Sequence, residues 1–224
     1  GGICVLYPLN VDLTGRIIIV VGGGNIAERK VCGILAADAD VSVRVVAPDI
    51  TMRLRILADA GKITWLKMNY ARNILKGAFL VYAATDKQEI NAAVAFEAKE
   101  CGALVNVVDD PHASSFQAPS VIRRGDLLLT VSTNGGSPAL SRRMRMELEQ
   151  FYPESFGLWL EYVSRLRNEL QERLPTSEDR TSFWRMALRR DILTMVRDGE
   201  IEKAEVELRN AALDIGPQSS NRSR

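Results

Sequence analysis

Residues 17–30, IIIVVGGGNIAERK, are the part of the sequence that indicates the fold most clearly. A run of β-branched apolar residues ends at three consecutive glycines, and a charged segment rich in helix-forming residues follows. β-branched runs favour strands, whereas glycine allows tight turns and lets another group approach the main chain closely. The stretch therefore predicts a buried strand, a glycine turn and the start of a helix.

The glycine turn has the spacing Gly22-x-Gly24-x-x-Ala27. In a dinucleotide-binding turn, the first glycine permits the turn, the second lets a diphosphate reach the main chain, and the small third residue lets the helix pack on the strand. Free N–H groups at the helix start would face the anion. A tight turn that binds no ligand could have the same glycines. Because this turn lies in the first strand–helix unit of a longer alternating array, a dinucleotide site is favoured.

The alternation of strand and helix continues to residue 109. Candidate strands are 16–21, 41–47, 78–85, 103–109 and, more weakly, 63–68, and candidate helices are 25–38 and 88–102. Near-continuous apolar strands separated by helices predict a parallel sheet that is covered on both faces. The predicted fold class is therefore α/β, with a Rossmann-like parallel sheet.

The pattern changes in the second half of the chain. Residues 120–136 predict an antiparallel hairpin that turns at Arg124-Gly125-Asp126. Ser137 and Pro138 then provide a capping hydroxyl and a first-turn proline, which predict the start of a helix.

A helical region is predicted from Pro153 onward. The residues that share one face of its first helix are Trp159, Val163, Leu166 and Leu170. A break at Pro175 separates this helix from one predicted to begin at Ser177 and to run through SEDRTSFWRMALRRDILTMVRDG. Another helical stretch follows, and the polar tail at 216–224 is expected to be disordered.

Composition argues against several classes of protein. The net charge of +1 favours neither a nucleic acid nor a membrane as a partner. No apolar run approaches the roughly 20 residues that a spanning helix needs. Cys4, Cys32 and Cys101 are odd in number and contain no CxxC pair, which argues against a disulfide framework or a zinc knuckle. A reducing cytoplasm is the expected compartment.

The second predicted strand ends in VVAPDI, where Asp49 follows Pro48. An acid at this place binds the adenosine ribose of NAD, although Asp49 could equally cap the next helix. No arginine stands at the strand end, but Arg53 and Arg55 lie downstream. The pattern favours NAD over NADP.

Asp109 ends the last strand of the array, so it is expected at the sheet edge that carries the 22–24 loop. A carboxylate beside a nicotinamide ring could take a proton from a substrate while hydride leaves. Alternatively, Asp109, Asp110 and Pro111 simply form a turn. His112, the only histidine, could guide a metal ion together with Asp109, but one imidazole is far from metal-ligand spacing, and no metal site is assigned.

Positive charge is concentrated in residues 117–145. This segment holds a single acid, Asp126, and five arginines: Arg123, Arg124, Arg142, Arg143 and Arg145. An anion could compensate this charge, and the loop STNGGSP at 132–138 would suit carboxylates. The residues assigned to such a substrate are Ser132, Thr133, Asn134, Ser137 and Arg142. A solvent-exposed arginine surface without a ligand is the alternative.

Five separated motifs together resemble the precorrin-2 dehydrogenase module of siroheme synthases. They are VDLTGRIIIVVGGGNIAERK, VVAPDI, VYAATD, NVVDDPHASSFQAPS and LLLTVSTNGGSPALSRRMRMELE. The resemblance implies NAD-dependent oxidation of precorrin-2 to sirohydrochlorin and, in many members, insertion of ferrous iron to give siroheme. It also implies a substrate with several carboxylates, the kind of anion that the arginine-rich segment would suit.

The resemblance carries residue assignments as well. Asp109 matches the acid implicated in both dehydrogenation and chelation. The residues assigned to the cofactor are Gly22, Gly24, Asn25, Ile26, Pro48, Asp49 and Thr85. Thr133 falls where some relatives carry a phosphorylatable serine, which makes regulation there a hypothesis.

The organisation implied by the resemblance is a homodimer of three-part chains. Residues 1–118 would form an NAD-binding Rossmann domain, residues 119–150 a small α+β dimerisation segment, and residues 151–224 a C-terminal helical domain. The chain has no room for a methyltransferase domain, so precorrin-2 is expected from a separate uroporphyrinogen methyltransferase.

Three functional hypotheses follow. The presence of Asp109 favours an enzyme that both oxidises precorrin-2 and inserts iron over a dehydrogenase without chelatase activity. The alternative from another class is a non-catalytic NAD sensor, in which the helical end relays occupancy of the site to a partner.

Overall fold

The computed structural model describes residues 6–37, 40–174 and 176–214. The chain divides into two compact units, residues 1–118 and 119–224. The sequence-based expectations for Cys4, for Pro175 and for the tail at 216–224 concern residues outside the described ones.

The first unit is built on a five-stranded sheet with the order β3-β2-β1-β4-β5, and all neighbouring strands are parallel. The strands are β1 (Ile17–Val21), β2 (Ser42–Val46), β3 (Thr64–Leu66), β4 (Leu80–Ala83) and β5 (Leu104–Val107). Because β1 lies between β2 and β4, the order of the strands reverses beside β1. Ligands of such sheets bind at this switch point, beyond the carboxyl ends of the strands.

Three helices cover the two faces of this sheet. They are α1 (Asn25–Leu35), α2 (Met52–Asp59) and α3 (Gln88–Glu100). Ile18 and Val20 of β1 pack in the layer that contains α1 and α2, whereas Ile19 and Val21 pack in the layer that contains α3. Successive strand residues point to opposite faces, so a strand covered on both sides must be apolar throughout. The predicted α/β fold with a parallel sheet is confirmed.

The second unit combines a hairpin with helices. Strands β6 (Ser120–Arg124) and β7 (Leu127–Val131) pair antiparallel, as predicted. The helices are α4 (Pro138–Phe151), α5 (Ser155–Arg173), α6 (Ser177–Ala187), α7 (Arg190–Arg197) and α8 (Ile201–Asp214). Ser137 caps α4, since its hydroxyl accepts the Leu140 N–H at 3.2 Å. Within the described residues no helix combines the length and the apolar character needed to cross a bilayer.

The prediction of one continuous helix from Ser177 was wrong. The chain leaves helical geometry at Leu188 (ψ 50°) and Arg189 (ψ 162°), and α7 begins after them. The core of this unit buries Phe183, Ala187, Ile192 and Val196. The spacing of five between Ala187 and Ile192 does not fit one face of a continuous helix, so the break is needed to bring both ends to the same core.

Candidate functional site

A cleft of about 590 Å³ opens at the carboxyl edge of the parallel sheet. Its volume lies in the range typical of small-molecule sites. The residues that line it belong to segments 21–26, 46–49, 69–70 and 84–87, which follow or end the first four strands, and to α3 through Ile90. All residues predicted to bind the cofactor line this cleft: Gly22, Gly24, Asn25, Ile26, Pro48, Asp49 and Thr85.

The three glycines have different roles in the cleft. Gly22 has φ +127°, and a Cβ there would overlap the carbonyl oxygen of Ala84. A Cβ on Gly23 would overlap the carbonyl oxygen of Asp49. By contrast, a Cβ on Gly24 would meet no atom within 4 Å. Gly22 and Gly23 are therefore required by close backbone contacts, whereas Gly24 borders open space that a ligand could fill.

The first turn of α1 meets this open space. Gly24 is the N-cap of α1 and provides no side-chain cap for the first-turn N–H groups. Uncapped N–H groups at a helix start carry partial positive charge and favour anions. The open space at Gly24 and the uncapped helix together fit the diphosphate of a dinucleotide.

Asp49 does not cap the following helix. That role belongs to Thr51, whose hydroxyl accepts the Leu54 N–H at 3.3 Å and donates to Glu28 at 2.6 Å. The alternative assignment of Asp49 as a helix cap was therefore wrong, and Asp49 is an exposed residue at the rim of the cleft. The downstream Arg55 stacks on Trp65, with its guanidinium 4.7 Å from the ring centroid.

A buried amide fixes the loop after β4. The Asn91 side chain donates to the Thr85 carbonyl at 3.0 Å and accepts the Thr85 N–H at 3.1 Å and the Thr85 hydroxyl at 2.7 Å. Asn91 lies in the first turns of α3 and is buried. Sequence analysis missed this residue. The available signal was an asparagine on the apolar side of an alanine-rich helix, a few residues after a strand.

Asp109 lies on the same edge of the sheet but is not among the residues that line the cleft. It follows β5, the neighbour of β4, and the preceding Val108 N–H donates to the Ala83 carbonyl at 3.0 Å. Asp109 is exposed and has φ +60°, a backbone conformation that aspartate tolerates better than most residues. Within the described residues, no group donates a hydrogen bond to its carboxylate.

The turn around Asp109 is held by its neighbours. The Asp110 carboxylate accepts the His112 N–H at 3.1 Å and the Ala113 N–H at 3.0 Å. The Ser114 hydroxyl donates to the Asp110 carbonyl at 2.7 Å and accepts the Val107 N–H at 2.9 Å. The turn therefore does form, with Asp110 rather than Asp109 as its bonding carboxylate. Among the described residues, no group of three or more His, Cys, Asp or Glu could hold a metal ion.

The residues predicted to bind substrate lie in the second unit. The Ser132 hydroxyl accepts the Asn134 N–H at 3.3 Å, and the Thr133 hydroxyl accepts the Ser137 N–H at 3.1 Å and lies 3.0 Å from the Ser141 hydroxyl. Ser137 caps α4. The hydroxyls of Ser132, Thr133 and Ser137 thus shape the loop, and Asn134 adopts φ +54° within it.

The positive charge of residues 117–145 is largely compensated from outside that window. Arg124 pairs with Glu154 at 3.0 Å, Arg143 pairs with Glu147 at 2.8 Å, and Arg145 pairs with Glu149. In the part of the chain that the structure describes, no carboxylate lies within 4.0 Å of the guanidinium groups of Arg123 and Arg142. A bound anion is therefore not needed to compensate three of the five arginines.

Three family models match the chain in consecutive order. Residues 9–120, half of the chain, match a family described as "Putative NAD(P)-binding". Residues 124–150 match the sirohaem biosynthesis protein central family. Residues 155–211 match the sirohaem synthase dimerisation region, which lies downstream of the segment 119–150 expected to mediate dimerisation.

Curated siroheme synthases are similar in sequence to most of this chain. The siroheme synthase of Photorhabdus laumondii is 37% identical over 201 residues, which are 90% of this chain and 42% of the relative. The siroheme synthase of Chromobacterium violaceum is 38% identical over 208 residues, which are 92% of this chain and 44% of the relative. The chain thus spans less than half the length of these relatives.

A solved structure, SirC, precorrin-2 dehydrogenase, resembles nearly the whole chain. The TM-score is 0.69 and the sequence identity 28%, and the similarity covers 93% of this chain and 98% of SirC. Because the first model matches half of the chain, the chain belongs to the family described as putative NAD(P)-binding, and two shorter segments after it match sirohaem biosynthesis and sirohaem synthase families.

Proposed function

We propose that the chain oxidises precorrin-2 to sirohydrochlorin, with NAD as the hydride acceptor. The observation that carries this proposal is the cleft at the switch point of the sheet, where the predicted cofactor residues meet beside the open space at Gly24. The similarity to a precorrin-2 dehydrogenase over 98% of that chain supports the choice of substrate.

The proposed roles in cofactor binding follow the order of the strands. The N–H groups at the start of α1, beside Gly24, bind the diphosphate. Asp49, which follows β2, accepts hydrogen bonds from the ribose hydroxyls of the adenosine half and thereby favours NAD over NADP. The loop at Thr85, held by Asn91, borders the cofactor from the side of β4.

Asp109 is the proposed general base. Its exposed carboxylate has no hydrogen-bond donor among the described residues, so it remains available as a proton acceptor. Loss of hydride from the partly reduced macrocycle must be accompanied by loss of a proton, and Asp109 accepts that proton. Arg142 and the loop at 132–137 bind the carboxylates of the substrate.

Insertion of ferrous iron into sirohydrochlorin is the finer proposal. Here Asp109 accepts in turn each proton that leaves a pyrrole nitrogen and releases it to solvent, and iron is a substrate. The names of the curated relatives, siroheme synthase, support this second activity. The name of the matched solved structure gives the dehydrogenase activity alone, and a dehydrogenase without chelatase activity is the second candidate.

Homodimerisation is also proposed. It is supported by the match of residues 155–211 to a dimerisation region.

An anaerobic spectroscopic assay tests these activities in sequence. The protein is mixed with enzymatically made precorrin-2 and NAD, with NADP in a parallel sample and with no cofactor as the control. We expect the sirohydrochlorin spectrum to develop fastest with NAD. Ferrous iron or cobalt is then added, and insertion is compared with the rate without protein.

The outcomes separate the hypotheses. No oxidation in the first step, despite measurable NAD binding, would favour the non-catalytic sensor. Oxidation without metal insertion above background would leave the dehydrogenase and remove the chelatase.

A further inference from the structure

A buried carboxylate beneath the cleft has no part in the functions proposed above. Glu97 lies in α3 with 4% of its surface exposed. One of its oxygens accepts the Tyr70 hydroxyl at 2.5 Å, and the other accepts the Leu75 N–H at 3.0 Å. Tyr70 itself lines the cleft. Glu97 therefore ties two points of the connection between β3 and β4, one of them in the wall of the cleft, to α3.

The partners of Glu97 are neutral. Among the described residues, no lysine or arginine forms an ion pair with it. Burying a carboxylate is costly unless its hydrogen bonds are satisfied, so the two donors are needed to keep it in place. Burial and the neighbouring Glu97 raise the pKa of Tyr70, so its hydroxyl stays protonated and remains a donor.

Tyr70 lies in the connection between β3 and β4, where this connection packs on α3. Its ring packs against the core layer that contains α3, and its hydroxyl donates to Glu97 and lies 3.4 Å from the Ala93 carbonyl of the same helix. Because Tyr70 also lines the cleft, its ring forms part of the cleft wall on the face of the sheet that α3 covers.

We infer that Glu97 is a positioning residue that holds the Tyr70 ring in place in the wall of the cofactor cleft. This inference rests on the proposed dinucleotide site. Without the hydrogen bond, the Tyr70 ring samples other rotamers, and only a fraction of the protein has the cleft in the conformation that binds the cofactor. The apparent Kd for the cofactor rises in inverse proportion to that fraction.

Tyr70→Phe tests the inference because it keeps the ring and removes only the hydroxyl. Glu97→Met, which keeps the length of the side chain and removes both acceptor oxygens, is the second variant. NAD binding is measured by isothermal titration calorimetry on the full chain, and precorrin-2 oxidation is measured at saturating NAD. We expect the Kd for NAD to rise roughly three- to tenfold in each variant, with kcat nearly unchanged. In the double variant we expect no further rise, because both changes break the same contact.

Glu100→Gln is the matched control. It breaks an exposed ion pair, Arg72–Glu100 at 3.0 Å, that joins the same connection to the same helix. We expect its NAD affinity to equal that of the wild type. Equal affinity in Tyr70→Phe and in the control overturns the inference while leaving the dinucleotide site in place. If the wild type binds no NAD, both the proposed site and this inference fail.

Discussion

The cleft of the first unit and the arginine-rich segment of the second unit were predicted by different kinds of reasoning. Gly22, Gly24 and Asp49 were predicted from the pattern of a dinucleotide-binding turn, and the other cofactor residues from the resemblance to the siroheme synthase module. All of them line one cleft. The arginines were chosen because they outnumber the acids within residues 117–145. Three of them pair with glutamates beyond that window. A parallel sheet brings the ends of its strands together. A local charge count leaves out partners beyond its window, whether they lie one helical turn away, as for Arg143 and Arg145, or on another element, as for Arg124.

The largest effect is expected from Gly22→Ala. A Cβ at this position would overlap the Ala84 carbonyl. The alanine would also have to adopt the φ of +127° that glycine has there. We expect the free energy of unfolding of the first unit to fall by about 3 kcal/mol or more. Urea unfolding followed by circular dichroism measures this loss.

Gly24→Ala is the matched control for the glycine turn. Its Cβ would meet no atom within 4 Å, and its φ of −84° suits alanine. We expect a change in stability of under about 1 kcal/mol but a rise in the Kd for NAD of roughly tenfold or more. Equal losses of stability in the two variants would contradict the division of roles between the glycines.

The second largest effect is expected from Asp109→Asn. Asparagine also tolerates positive φ, so the turn is preserved while the proton acceptor is removed. We expect kcat for precorrin-2 oxidation to fall on the order of 10²-fold with little change in the Kd for NAD. Stopped-flow spectroscopy and calorimetry measure the two quantities.

Asp110→Asn provides the control for charge. An asparagine oxygen at this position can still accept the His112 and Ala113 N–H groups. We expect nearly wild-type kcat. A similar loss in both variants would mean that only the net charge of the turn matters, and Asp109 would then lose its proposed role as a base.

Sequence reasoning recovered the fold and the cleft because both depend on local patterns. The run IIIVV requires a strand covered on two faces, and the close backbone contacts that follow it require Gly22 and Gly23. Asn91 and Glu97 were not predicted, because their partners Thr85, Tyr70 and Leu75 are known only once α3 is packed on the sheet. The break between α6 and α7 was missed for a related reason. Leu188 and Arg189, the residues at the break, are both good helix formers. The need for a bend is visible only in the core that α6 and α7 share.

The smallest effect is expected from Arg142→Ala, which tests the arginine-rich segment of the second unit. Arg142 and Arg143 are adjacent in α4, and both side chains are exposed, but only Arg143 pairs with a carboxylate, Glu147, among the described residues. Both substitutions remove one positive charge, so long-range attraction of an anionic substrate changes equally.

A difference between the two variants therefore reports a local contact. We expect Arg142→Ala to raise the KM for precorrin-2 roughly fivefold at low salt, about 1 kcal/mol, whereas Arg143→Ala should change it by less than about twofold. The difference should shrink as salt screens the exposed contact. Equal KM values in the two variants, at every salt concentration, would remove Arg142 from the substrate site and leave the exposed arginines as solvated surface.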